Sequence, residues 1–235
     1  MAAINILWIS LACIGSYLVG SIPFSVWIGK LALGKDVRNY GTQNPGGFNA
    51  LRTFGPKIGF PILFLDQFKG IITIALMDHI FNLPYFESGN GFNYYHLIMC
   101  CVGPFICIMG HNYSIWLKFK GGQGMGIMMG VFFYVNPILL LFFLSVYAIL
   151  YAGLKVPTRT TGMIVSPLCI PAALFLPIGP PWANILMVWT VGTPDFPFVA
   201  QGLVIAVTII SFLLKKAIDT IIGVEVIVEK VLEEN

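Results

Sequence analysis

Charge is what this sequence has least of. Only 10% of its 235 residues are Asp, Glu, Lys or Arg, and 57% are hydrophobic. A soluble domain carries roughly 25% charged residues, so a soluble enzyme is excluded and an integral membrane protein remains. The cysteines Cys13, Cys100, Cys101, Cys107 and Cys169 contain no C-x-x-C pair. Neither a zinc site nor a redox couple is indicated, and they read as small buried hydrophobes. No basic stretch precedes the first apolar run, which therefore reads as a retained helix and not a cleaved signal peptide. No Walker lysine follows a G-x-x-x-x-G, so nucleotide hydrolysis is not expected. No His-x4-Asp pair, serine elbow or metal-ligand cluster occurs either. The chain implies no metal and no cofactor, and nothing in it points to a nucleic-acid partner.

What is present is a series of apolar runs. A spanning helix needs about 20 mainly apolar residues, and on that measure the chain reads as one all-α polytopic domain, 1–235, with about seven transmembrane helices. Their expected positions are about 4–28, 58–80, 96–112, 125–135, 138–154, 163–178 and 198–214, with an interfacial connection over 179–197. The cations test this arrangement. With the N-terminus outside, twelve of the 13 Lys and Arg fall in the inner loops, their helix ends and the tail, and the thirteenth, Lys69, lies within the second run. The outer loops hold only Asp78, Glu87 and Asp195. This is the positive-inside pattern, with the C-terminus cytoplasmic.

Two polar segments interrupt the apolar pattern. In 36–52, Gly41, Gly46 and Gly47 stand among Asn39, Asn44, Asn49, Thr42, Arg38 and Arg52. Glycine turns bring backbone N–H groups close to a ligand, where successive ones form an anion-cradling nest. Arginine adds fork-shaped donors suited to phosphate. The alternative is an ordinary basic loop with turn glycines. The second segment, 110–126, repeats the chemistry with His111, Lys118, Lys120, Gly121, Gly122, Gly124 and Gly126. A helix starting after Gly124 would aim the positive end of its dipole at whatever the loop holds.

Asp66 and Lys69 are three residues apart in the second run and share a helix face. Charges in a membrane are paired or functional, so the pair is either a structural brace or part of a site. His111 titrates near neutrality and is either a general base or a hydrogen-bonding residue at a helix end. His79 and His96 flank the outer loop and read as interfacial.

In this order the pieces resemble a family, the bacterial acyl-phosphate-dependent glycerol-3-phosphate acyltransferases (PlsY type). Gly20-Ser21-Ile22-Pro23-Phe24-Ser25 is similar to the family's first-helix segment, and 36–52 to its first signature, ending in Arg52. Asp66-x-x-Lys69-Gly70 matches the second helix. Gly110-His111 and Phe119-Lys120-Gly121-Gly122-Gln123-Gly124 resemble the second signature, and Gly223-x-Glu225 the end of the third. The resemblance implies acyl transfer from acyl phosphate to the sn-1 hydroxyl of glycerol 3-phosphate, giving lysophosphatidic acid and phosphate, in the bacterial inner membrane with the active loops cytoplasmic. It implies that Gly41, Thr42, Asn44, Gly46 and Gly47 cradle the acyl-phosphate phosphoryl group. Arg52 and Lys120 would hold glycerol 3-phosphate, with Gly121, Gly122 and Gly124 in the phosphate-binding set. Asn49 and His111 would orient the reacting groups, and Asp66 and Lys69 would support the site. This chain departs from the family at Gln43, Phe48 and Gln123, and Leu213 and Lys216 stand where a histidine and an asparagine are expected. Two alternatives follow: a relative that binds phosphorylated lipid precursors without turnover, and a small anion transporter.

Overall fold

The computed structural model describes residues 2–83, 86, 94–175 and 196–223, all of it helix, turn or loop. The first apolar run is not one helix. α1 (Ala2–Ser21) stops before Ile22-Pro23, and α2 (Phe24–Leu33) starts afresh. Proline lacks the N–H an uninterrupted helix would need, and it restricts the residue before it. The expected opening loop is also partly helical. A 3-10 turn at Val37–Asn39 and the eight-residue α3 (Gly47–Phe54) lie within it.

The remaining elements fall close to their expected places. α4 is Pro56–Phe81, α5 Tyr94–Asn112 and α6 Met125–Val135. α7 (Pro137–Ala148) continues into a π-helical turn, Ile149–Gly153. α8 is Thr158–Phe175 and α9 Phe196–Ile222. The 179–197 connection and the end of the third signature lie largely outside the described residues. Among the described residues, three segments, Asn5–Leu33, Pro56–Phe81 and Tyr94–Leu117, are long and apolar enough to cross a membrane. α6 has 11 residues and spans only about 16 Å at 1.5 Å per residue. The buried Asn136 side chain then accepts from the Ile138 and Leu139 N–H groups and caps α7, with Pro137 at its first position.

Helices with little polar surface associate through small residues that let backbones approach. α1 packs on α5 and α4 on α6 in this way. A Cβ on Gly20 would lie 1.9 Å from the Cys107 carbonyl oxygen, and one on Gly130 the same distance from that of Gln67. The core runs through α4, α5, α6, α7, α8 and α9, with Phe81, Phe132, Phe143 and Phe212 fully buried.

Asp66 and Lys69 join three elements. Lys69 Nζ donates to Asp66 Oδ1 (2.8 Å) and to the Ile22 carbonyl (2.5 Å) beyond the end of α1. Asp66 Oδ2 accepts the Gly47 N–H at the start of α3 (3.1 Å). The pair is a brace, and Asp66 also reaches the site described below. His96 is not interfacial. It is fully buried, and its Nε2 is 2.8 Å from Asp78 Oδ1, while Tyr134 donates to Asp78 Oδ2 (2.6 Å). Cys100 lies one turn along α5, so Asp78, His96 and Cys100 form a compact group of metal-ligand types among the described residues. The carboxylate there is already engaged by the His96 ring and the Tyr134 hydroxyl, which knits α4, α5 and α6 together.

Candidate active site

The opening segment is built around Asn49, which is 3% exposed. Its Oδ1 accepts the Thr42 N–H (3.0 Å), and its Nδ2 donates to the Val37, Tyr40 and Asn44 carbonyls (3.0–3.1 Å). Gly41 is required beside it. Its φ is +56°, and a Cβ would meet Asn49 Oδ1 at 2.4 Å. Ser25 Oγ donates to the Pro45 carbonyl and ties the loop to α2. Asp36 caps the 3-10 turn by accepting from the Arg38 N–H and the Arg38 guanidinium, with Lys30 3.2 Å away. The Arg38 contact holds the Asp36 carboxyl far below the usual carboxylate range, against the opposing effect of burial.

The second segment folds back onto the end of α5. Gly121 N–H donates to the Asn112 carbonyl and Gly122 N–H to that of His111 (both 3.0 Å). His111 packs so closely on Gly122 that a Cβ there would lie 2.2 Å from His111 Nε2. Ser114 Oγ donates to the Ser21 carbonyl, and Ser21 Oγ to that of Gly110, which fixes the segment to the end of α1. Gly124, at φ +78°, is the N-cap of α6.

These two segments enclose one cavity of about 1060 Å³. Thr42, Asn44, Gly46, Gly47, Asn49, Arg52, Asp66, His111, Lys120, Gly121, Gly122 and Gly124 all line it, as do Gln43, Phe48 and Gln123. Gly41 and Lys69 are not on its wall; Gly41 leaves room for Asn49 and Lys69 pairs with Asp66, both of which are. The glycines do not act as expected of a nest. Gly47, Gly121 and Gly122 direct their N–H groups at protein acceptors, and Gly46 has an extended backbone with φ −111°. Their small size admits Leu63, His111 and neighbouring backbone instead. Residues with side-chain donors on the cavity wall include Arg38, Thr42, Asn44, Arg52 and Lys120, and the first residues of α6 lie on it too. Positive φ also falls on four residues other than glycine, Gln43, Lys118, Phe119 and Lys155.

A third wall had no counterpart in the two polar segments. Tyr151, Lys155 and Thr158 enter from the α7–α8 junction, and Lys215 and Asp219 from α9. Arg52 Nη2 donates to the Tyr151 hydroxyl (3.0 Å) and to Thr158 Oγ1. Lys215 pairs with Asp219 at 2.5 Å and lies over the Tyr113 ring. The neighbouring Lys216 points elsewhere, fully buried against Phe212. The only advance signal for this wall was the charge partition, which puts Lys155 and Lys215 on the same face as both polar segments.

The family model described as glycerol-3-phosphate acyltransferase matches residues 10–224. The chain belongs to that family. Among curated members, it is 34% identical over 163 residues to the glycerol-3-phosphate acyltransferase of Fusobacterium nucleatum subsp. nucleatum, covering 69% of this chain and 73% of that one. It is 36% identical over 163 residues to the enzyme of Desulfotalea psychrophila, covering 68% and 76%. The crystal structure of PlsY, an integral membrane glycerol 3-phosphate acyltransferase, in its glycerol 3-phosphate form, superposes with a TM-score of 0.56 and 27% identity. That alignment covers 92% of this chain and 93% of PlsY.

Proposed function

We propose that this chain is a membrane acyltransferase of phospholipid synthesis, moving an acyl group from acyl phosphate to the sn-1 hydroxyl of glycerol 3-phosphate. The observation that carries this reading is the convergence of both signature segments on one cavity that also holds Arg52 and Lys120. Family membership favours acyl transfer over anion transport. Arg52 and Lys120 hold the acceptor phosphate. The Thr42 hydroxyl, the Asn44 amide and the N-terminus of α6 face the donor phosphoryl group, and His111 helps orient the reactants. The acceptor oxygen attacks the acyl carbonyl carbon, and the carbon–oxygen bond to phosphate breaks. Phosphate leaves with the electron pair and takes up the hydroxyl proton, so the products are lysophosphatidic acid and inorganic phosphate. Since phosphate is a good leaving group, rate acceleration comes from positioning two anions and stabilising charge rather than from a strong base.

The positive-inside distribution supports seven passes, an external N-terminus, a cytoplasmic cavity and a location in the bacterial inner membrane. The acyl chain enters laterally between spans. The test is turnover of palmitoyl phosphate and glycerol 3-phosphate by the purified protein in lipid, beside a working homologue. Lysophosphatidate and phosphate should form together, and Arg52→Ala should abolish both while the protein stays folded. Substrate binding without product would establish the non-catalytic alternative instead.

A further inference from the structure

We infer that Tyr151 sets the position of Arg52 in the cavity and thereby controls affinity for the acceptor's phosphate. The inference rests on the reading of Arg52 as the acceptor-phosphate ligand. Arg52 sits in the last turn of a short helix with its side chain exposed, where a long arm would sample many rotamers. Tyr151 restrains it twice. The phenol oxygen accepts from Nη2 at 3.0 Å, and the guanidinium lies 5.4 Å from the ring centroid. The ring contact holds the guanidinium against its face, and the hydrogen bond fixes its rotation. Thr158 Oγ1 accepts from the same nitrogen. Among the described residues Nε and Nη1 meet no protein acceptor, which leaves each of them as a single donor for a phosphate oxygen.

Tyr151 reaches this position because the chain leaves α-helical geometry there. It lies in the π-helical turn, whose Leu154 N–H bonds back to the Ile149 carbonyl at 2.9 Å. Single π turns are rare and occur often at functional sites. The turn is braced from behind. Tyr147 meets Tyr151 at 6.0 Å and Phe143 at 5.7 Å between ring centroids, and Phe143 is 1% exposed.

The two elements also match in register. Phe48 and Arg52 are one turn apart on α3, and Tyr147 and Tyr151 are likewise four residues apart, so each pair shares a face. Phe48 stacks on Tyr147 at 6.2 Å while Arg52 sits on Tyr151. Phe48, a departure from the family signature, is thus the apolar half of a two-point clasp whose polar half is Arg52–Tyr151.

The experiment is steady-state kinetics of the full chain in lipid, with glycerol 3-phosphate and palmitoyl phosphate varied separately. Tyr151→Leu should raise KM for glycerol 3-phosphate about tenfold, in line with losing a charge-assisted contact. Tyr151→Phe, which keeps the ring, should raise it by about threefold. KM for palmitoyl phosphate should stay within about twofold in both. In an Arg52→Ala background, where turnover is expected to be lost, equilibrium binding of glycerol 3-phosphate should show no further change on adding Tyr151→Leu. Equilibrium binding of glycerol 3-phosphate reads the same shifts without turnover, and Tyr151→Phe serves if Tyr151→Leu does not fold. Unchanged acceptor affinity in the Tyr151 variants, or equal loss for both substrates, overturns the inference. If Arg52→Ala also leaves acceptor affinity unchanged, the Arg52 reading itself has failed. If Arg52→Ala weakens it and the Tyr151 variants do not, only the role of Tyr151 is wrong.

Discussion

Replacing Asn49 with alanine removes one acceptor and one amide donor group that together hold four backbone groups of the first signature segment. Each such bond contributes about 0.5–1.5 kcal/mol net. Val37 is buried and its carbonyl would lose a partner, whereas the exposed Tyr40 turn can rehydrate. A total cost of about 2–4 kcal/mol follows. The loop that presents Thr42 and Asn44 would then lose its fixed shape. Asn49→Ala is therefore expected to lower the thermal midpoint of the detergent-solubilised protein and to raise KM for palmitoyl phosphate. Asn49→Asp should be no better, since it sets a carboxylate against three carbonyl oxygens. The contrary result is specific. If Asn49→Ala keeps the midpoint and KM but lowers kcat by orders of magnitude, Asn49 acts on the reacting groups, as the family resemblance implies, and its positioning role is refuted.

Lys69→Met should destabilise by about 3–5 kcal/mol, because Asp66 would stay buried without its partner. Adding Asp66→Asn should recover much of that loss in the same unfolding assay. Gly122→Ala pushes a methyl group into His111 Nε2, so activity should fall well before the unfolding midpoint does. Asp36 gives a pH signature. Its folded pKa is depressed by Arg38, so its stabilisation is complete above the unfolded carboxylate value of about 3.9 and is lost as pH falls below that. Unfolding midpoints of wild type and Asp36→Asn should run parallel above pH 5 and converge below pH 4; convergence near neutrality would contradict this.

The sequence already located α6 at 125–135, because Gly124 and Asn136-Pro137 bracket an uninterrupted apolar run. Hydropathy alone did not divide the first run, since Pro23 interrupts hydrogen bonding without interrupting apolarity. The two polar segments were legible as ligand-facing, and they do line one cavity. Three of their glycines, Gly47, Gly121 and Gly122, give their N–H groups to protein acceptors. At Gly47 and Gly122 the reason for glycine is a neighbouring helix or imidazole, which composition cannot separate from a ligand. The third wall was the hardest to foresee. Arg52 meets Tyr151 and Thr158 across 99 and 106 residues of chain, and a π turn leaves no periodic trace.

The Asp66–Lys69 brace also bears on how the chain is made. Alone in a bilayer, the middle of α4 would carry two charges, Asp66 and Lys69, that each cost about 2.5–3.5 kcal/mol near a helix centre. Among the described residues, the groups that compensate them lie earlier in the chain or on α4 itself: the Gly20 and Ile22 carbonyls, the Phe24 ring, the Gly47 N–H, and each other. By the time α4 is synthesised its partners already exist, so the N-terminal third can close on itself before α5 emerges. A Lys69→Met chain would be expected to falter at that step, during membrane insertion, ahead of any effect on catalysis.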